Sequence, residues 1–297
     1  MTFVKSENLK LVYVTADNIN SNDVTAVFST RNGGVSGRVQ GTEYLNSLNL
    51  QLNSPFDILE NVIENYRIIT TSLDFKVNNV VAVHQIHTDN IIVVDNELVR
   101  ELSIKQTNVS MNPHFFDESN TLNTSTPHIL GEADALITNV KGIMLSIRTA
   151  DCVPILLYDS VSKAIGAVHA GWKGTFMKIA SKTVKRMGEI YGSNPRDIRV
   201  AIGPAIGICC YEVDKNFHEK FCQEYGEVIN SYFRKQANGK PSCDLKALNK
   251  AFLCETGVPE ANISVSDLCT MCHPELFYSH RRSGEKRGTM AAFIALK

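Results

Sequence analysis

The sequence predicts an α+β fold with mixed β-sheets, and three observations predict it. Runs of β-branched residues recur with hairpin punctuation, amphipathic helical stretches appear after "GWKGT", and hairpins and crossover helices interleave along the chain. A doubly wound parallel sheet would instead alternate strand and helix one for one. At 297 residues the chain is long for one domain, yet mixed folds of this size are common, so length alone leaves one large domain or two intimate ones open. Of these, a single domain over 1–297 is the expectation.

Taken in order, the first third reads mainly as strands. "DVTAVFST" (23–30) runs into the turn "RNGG", and "NNVVAVHQIH" (78–87) passes through "TDN" into "IIVVD" (91–95) as a hairpin. The polar stretch 105–128 reads as a loop insertion or lid, not a linker. Strands return at "ADALIT" (133–138), "GIMLSI" (142–147), "CVPILLY" (152–158) and "KAIGAVH" (163–169). The apolar residues Met177, Ile179, Ala180, Val184, Met187 and Ile190 then follow helical spacing up to a stopping Gly192. A strand at 198–203, helices from about Asp214 to Tyr225 and opening at Asp244, and strands at "NISVSDL" and "TMAAFIAL" complete the order.

Hydrophobic residues make up 43% and charged residues 21% of the chain, which indicates a sizeable core. Thirty basic residues balance 31 acidic ones without blocks of like charge. Neither nucleic acid nor an anionic membrane is therefore an expected partner. No export signal or membrane-length apolar run is visible, so a cytoplasmic protein with reduced cysteines is expected.

Chemistry concentrates in "RTADCVPILLYDSVSKAIGAVHAGWKGT". Pairing 152–158 with 163–169 around "DSVS" sets Cys152 opposite His169 at the open end of a hairpin, within roughly 5 Å at Cβ. Each alone reads as structural, a buried thiol and a strand-end imidazole. Together they make two soft ligands of an incomplete metal site, with Asp151 beside the cysteine to orient it. "HQIHT" supplies the third: His84 and His87 point to opposite faces of a strand, and His87 lies nearer the turn. A His/Cys/His set with an open fourth position suits catalytic zinc, whose bound water can reach a pKa near ~7.

"CTMCH" (269–273) matches both a redox CxxC and a haem-attachment pattern, but covalent haem normally requires export, so structural thiols are expected. "GPAIGICCYEV" (203–213) lacks the Lys-Ser/Thr of a P-loop, and vicinal Cys209 and Cys210 read as buried.

The stretches "QIHTDN", "GEADALITNVKGIMLSIRTADCVPILLYD", "GAVHAGWKGT", "AIGPAIGICCYEV" and "LFYSHRR" together resemble the bacterial polyphenol oxidase or laccase-domain family, now described as multifunctional purine nucleoside phosphorylases. The resemblance runs from about residue 24 to the C-terminus. It implies a layered α/β/β/α fold related to toxin-type cysteine hydrolases, with metal ligands His87, Cys152 and His169 and a zinc ion. It also implies phosphorolysis of adenosine, inosine and S-methyl-5'-thioadenosine, and adenosine deamination. The insertion at 105–128 departs from the family pattern, as does "KRGTM" around Arg287, where the family carries T-G-R-M.

On this reading His87, Cys152, His169 and Asp151 are the expected catalytic residues. Arg31, Arg148, Lys173 and Arg281 are the expected phosphate ligands. The partners are then a small-molecule nucleoside and phosphate, and the chain a monomer or homodimer. Three other readings stand beside it: a copper-dependent, laccase-like phenol oxidase with Cu²⁺ at the same residues, a Cys/His thiol hydrolase, and a structural pin in a binding module. The oxidase reading is secondary because a multicopper cluster needs several H-x-H pairs and this chain has none.

Overall fold

Val24–Ser29, Val153–Asp159, Ala164–Ala170 and Met290–Leu296 are buried at every position. Strands apolar on both faces need a covering layer on each side, and that requirement organises the molecule. The computed structural model describes residues 1–6, 10–37, 47–109 and 126–297.

In chain order the strands are β1 (Thr2–Lys5), β2 (Val12–Thr15), β3 (Val24–Ser29), β4 (Asn32–Ser36), β5 (Val80–His84), β6 (Ile91–Val93), β7 (His128–Glu132) and β8 (Ala135–Thr138). There follow β9 (Met144–Thr149), β10 (Val153–Asp159), β11 (Ala164–Ala170), β12 (Ile198–Ile202), β13 (Phe233–Lys235), β14 (Pro241–Cys243), β15 (Ile263–Val265) and β16 (Met290–Leu296). The α-helices are α1 (Leu59–Ser72), α2 (Asn96–Val109), α3 (Trp172–Phe176), α4 (Ile179–Tyr191), α5 (Lys215–Tyr225), α6 (Leu245–Glu255) and α7 (His280–Ser283).

A seven-stranded sheet in the order β1-β2-β3-β16-β9-β5-β7 packs on a six-stranded sheet in the order β15-β12-β10-β11-β8-β6. Both are mixed: β5 runs parallel to β7 and β9, β6 to β8, and β12 to β15, while the remaining pairs in the two sheets are antiparallel. Alternation along the strands sorts the core into layers. Leu145, Ile147, Leu156, Tyr158, Ile165, Ala167, Ala292 and Ile294 fill the space between the sheets. Ile155, Leu157 and Val168 face out toward α4 and α6, and Met144, Ala291 and Phe293 face out toward α1. The layering is therefore α/β/β/α, and the expected α+β class with mixed sheets is observed.

The helices end where their residues require. Gly192 takes a left-handed φ of 70° and returns its N–H to Gly188, closing α4. Asp214 and Asp244 cap α5 and α6 by accepting the N–H of Phe217 and Ala247.

Three expectations need correction. Residues 78–87 and 91–95 do not form a hairpin: β5 lies in the seven-stranded sheet and β6 in the other. Val81 and Val83 line the shared interior from one side while Ile92 packs against it from the other, so the turn crosses between layers. The strand-rich first third contains α1, whose β-branched "RIITT" reads locally as strand; Val62, Tyr66 and Ile69 nevertheless form a buried stripe against the sheet. The polar stretch 105–128 begins inside α2, which continues to Val109, and its last residue opens β7; residues 110–125 lie outside the described residues. No helix among the described residues is long and apolar enough to cross a membrane.

Candidate metal centre at the crossing between the sheets

The structure gathers His87, Cys152 and His169 so that their ligand atoms all lie within 4.8 Å of one another. Each comes from a different chain segment. His87 sits in the turn between β5 and β6, Cys152 immediately precedes β10, and His169 lies near the end of β11. His84, the other histidine of "HQIHT", ends β5 outside this group.

The hairpin register differs from the expected one by two residues. Pro154, not Cys152, pairs with His169, because the connection is the four residues between Asp159 and Ala164. Cys152 still falls on the His169 face, since a shift of two preserves the side. The shift places Gly171 beside the site: a Cβ there would stand 2.7 Å from the His87 ring and 3.2 Å from the Cys152 sulfur. The glycine of "HAGW" is thus a requirement of the site's volume.

A residue that sequence reasoning missed holds the centre in place. Asp134 is fully buried. One carboxylate oxygen accepts from His169 Nδ1 at 2.7 Å, and the other accepts from Thr88 N at 2.6 Å, Thr88 Oγ1 at 3.1 Å and Ile86 N at 3.3 Å. The same side chain therefore fixes the His169 tautomer, leaving Nε2 to face the cluster, and anchors the turn that presents His87. That turn is strained, with His87 itself at a φ of 62°.

Burial pushes the Cys152 thiol up, but the charge of His169 and hydrogen bonds from His169 and His87 outweigh it and bring the thiol down to about 6. Burial likewise lowers His169, yet the Cys152 thiolate and Asp134 raise it to about 9. Burial also works against the Asp134 carboxylate, which the His169 and Thr88 contacts keep below the usual range. The Cys152 sulfur stands 3.8 Å from His87 Nε2, and the two imidazole rings meet edge to face at 5.0 Å.

Asp151 plays a different part from the one expected. At a φ of 88° its carboxylate accepts from Thr270 Oγ1 at 2.6 Å, Ser279 Oγ at 3.0 Å and the Arg281 N–H at 2.6 Å. It ties the C-terminal segment to the site, while Asp134 orients the ligands.

The expected phosphate ligands separate. Lys173 lines a pocket of about 350 Å³ together with His87, Trp172, Phe176 and Lys220. Arg31 donates to the Pro274 carbonyl and covers the Tyr278 ring. Arg148 donates to the Val83 carbonyl from the outer, Met144 side of its strand. Arg281 donates to the Cys210 and Glu212 carbonyls and covers Tyr211, a phenol raised first by its burial and then by the nearby thiols Cys243 and Cys152. Arg31 and Arg281 brace loops and Arg148 ties β9 to β5, whereas Lys173 and Lys220 line the pocket that His87 also lines, with their ammoniums over the Trp172 ring.

Two stacked mixed sheets carrying an open imidazole–thiolate cluster at their crossing define a mixed α/β enzyme with a centre able to bind a metal. The chain belongs to the family described as multi-copper polyphenol oxidoreductase laccase, whose family model matches residues 25–297. It is similar to purine nucleoside phosphorylase YlmD of Bacillus subtilis, at 34% identity over 280 residues covering 94% of this chain and 91% of the relative. Adenosine deaminase RL5, from an unknown prokaryotic organism, is 40% identical over 155 residues, 52% of this chain and 59% of that protein. Among solved structures, YlmD from Geobacillus stearothermophilus superimposes with a TM-score of 0.76 at 29% identity, covering 99% of this chain and 98% of that one. Bacillus licheniformis YfiH gives 0.76 at 34% identity, covering 92% and 93%.

Proposed function

We propose that this protein is a zinc-dependent purine nucleoside phosphorylase that converts adenosine, inosine and S-methyl-5'-thioadenosine to the base and (methylthio)ribose 1-phosphate, with adenosine deamination as a second activity. The observation that carries the proposal is the Asp134-anchored His87/Cys152/His169 cluster, whose His87 also lines the pocket of Trp172, Lys173 and Lys220. Its support from relatives is the near full-length similarity to a purine nucleoside phosphorylase and the partial similarity to an adenosine deaminase.

The donor set fits a divalent transition ion: two imidazoles and one thiol of lowered pKa, closely spaced, with His169 Nε2 left facing the cluster by the Asp134 bond. Bound there, the ion would supply Lewis-acid polarisation of an electronegative atom of the substrate. The chain's own groups do the rest. Lys173 and Lys220 line the same pocket as His87 with their ammoniums over the Trp172 ring, at 5.8 and 5.5 Å from its centroid, and from there they would neutralise phosphate and hold it for attack on the ribosyl C1'. The C1'–N9 bond breaks with its electron pair leaving on the purine. The Trp172 and Phe176 rings on the same wall carry the lysine ammoniums over them, cation–π contacts that hold the two lysines in the pocket. Asp134 and Gly171 keep the imidazoles and thiol in one arrangement throughout.

The test is product analysis on each nucleoside with phosphate. Ribose 1-phosphate and free base are expected from the wild type and are lost in Cys152→Ala; turnover that survives in that variant, or the absence of any ribose 1-phosphate, ends this reading.

One further reading has its own observation. Cys152, His169 and Asp134 stand in the order nucleophile, base and orienter, the arrangement of a thiol hydrolase. Acylation of Cys152 in metal-free protein, without nucleoside turnover, would favour it. Copper at the same ligands with phenol oxidation is the outcome that would favour the oxidase reading.

A further inference from the structure

The four cysteines set aside as structural thiols come together. Cys209 and Cys210 lie on the loop after β12, and Cys269 and Cys272 on the loop after β15, yet all four sulfurs fall within 4.8 Å of one another. We propose that they hold a single zinc ion in a tetrathiolate site, separate from the centre at His87, Cys152 and His169.

The spacing is that of a coordination sphere. Zinc–sulfur bonds of ~2.3 Å arranged tetrahedrally place the sulfurs about 3.8 Å apart. Here Cys210 and Cys272 stand 3.4 Å apart and Cys209 and Cys272 3.6 Å, well beyond the ~2.05 Å of a disulfide. The ligands arrive as two short loops, one carrying C-C and one C-x-x-C, and four sulfurs without an open position match a structural site.

The surroundings of Cys269 suit a thiolate, whereas burial and the neighbouring thiols push Cys209 and Cys210 up. The backbone N–H of Gly207 donates to the Cys269 sulfur at 3.2 Å, and the backbone N–H groups of Cys272 and Met271 are among the influences that bring the Cys269 thiol down. The loop packs closely at Gly207, where a Cβ would stand 3.2 Å from the Cys209 sulfur and 3.3 Å from Cys269 Cβ. Lys246 is buried nearby, with Nζ on the carbonyls of Ser266 and Leu268 and Cys269 and Cys209 among the groups acting on it. It makes no ion pair within 4.0 Å among the described residues. A tetrathiolate zinc carries net negative charge, which this buried ammonium offsets.

The position gives the ion a task. The two loops meet at a bridge between Ala205 and Cys269 and at the Thr270 N–H to Ala205 carbonyl bond. Thr270 holds the Asp151 carboxylate, Ile206 N–H holds the Asp151 carbonyl, and the Cys210 carbonyl receives Arg281. Zinc at the cluster would fasten the loops that seat Asp151 next to Cys152.

Metal analysis of Cys152→Ala tests this, because that variant lacks the other centre. One zinc per chain is expected to remain, to exchange for cobalt with the intense charge-transfer and ligand-field bands of a tetrahedral tetrathiolate, and to be lost on adding Cys272→Ser. Should the double variant fail to fold, the wild-type holoprotein answers the question through its two exposed thiols, Cys209 and Cys272. Alkylation mapped by mass spectrometry should spare both until a strong chelator is added. A metal-free Cys152→Ala protein, equal alkylation with and without chelator, or recovery of Cys272 in a disulfide with Cys209 or Cys210 overturns the proposal. None of these readouts depends on nucleoside turnover, so the zinc site and the proposed activity fail separately.

Discussion

Asp134 is the residue on which the candidate centre turns, since one buried carboxylate holds both the His169 imidazole and the turn bearing His87. Asp134→Asn keeps the shape but loses the charge and offers an amide N–H where acceptors are needed. Metal affinity and activity should fall about 10–100-fold, with the protein still folded; an isothermal titration showing unchanged affinity would remove Asp134 from this role. The cysteine gives a second prediction. With the metal chelated, alkylation of Cys152 should rise with pH through about 6 and level off by neutrality, because the thiolate is the reactive form. His87→Ala removes one of the contacts that lower the thiol and should move the midpoint upward. A midpoint in the ordinary thiol range for both proteins would contradict the account.

At the scale of elements, the loop carrying Asp151 shows how much of this molecule was legible in the sequence. The apolar runs of β10 and β11, the helical stripe of α4 and the Asp caps of α5 and α6 are local patterns, and they appear where the residues place them. The Cys152/His169 proximity was legible for the same reason: hairpin pairing is a short-range rule. It survived a register error because that error was even. Asp134 was not legible, for nothing in "GEADAL" distinguishes the buried acid from its exposed neighbour Glu132 until β8 docks beside β11. The meeting of Cys209 and Cys210 with Cys269 and Cys272 bridges some sixty residues and depends on the parallel pairing of β12 with β15. Asp151 likewise looked like a site residue through adjacency alone. Its three donors make it a clamp, so Asp151→Ala should leave buried donors unpaired and destabilise the protein by about 1–3 kcal/mol. In urea unfolding that appears as a lower midpoint. Metal stoichiometry at His87, Cys152 and His169 is expected to stay unchanged, and its loss would return Asp151 to the centre itself.

For the whole molecule, the centre occupies a mechanical position. The chain passes from the seven-stranded to the six-stranded sheet through the His87 turn, between β5 and β6, and again through the Asp151–Cys152 turn, between β9 and β10. His169 adds the end of β11 in the six-stranded sheet. An ion held by all three side chains therefore joins both crossings to one sheet at the same end of the sandwich. Since such an ion binds only the folded arrangement, it stabilises by mass action, about 2.7 kcal/mol at a free metal concentration one hundred times its dissociation constant. For a chain this long, each kcal/mol moves Tm by roughly 2–4 °C. Chelation should therefore lower the wild-type Tm by several degrees. The four-cysteine cluster contributes its own share of that drop, so the informative quantity is the difference between the chelator shift of the wild type and that of Cys152→Ala, measured by calorimetry under the same conditions. The wild-type shift should be the larger. Equal shifts would mean that the ligands at the crossing bind no ion strongly enough to hold the two sheets together there.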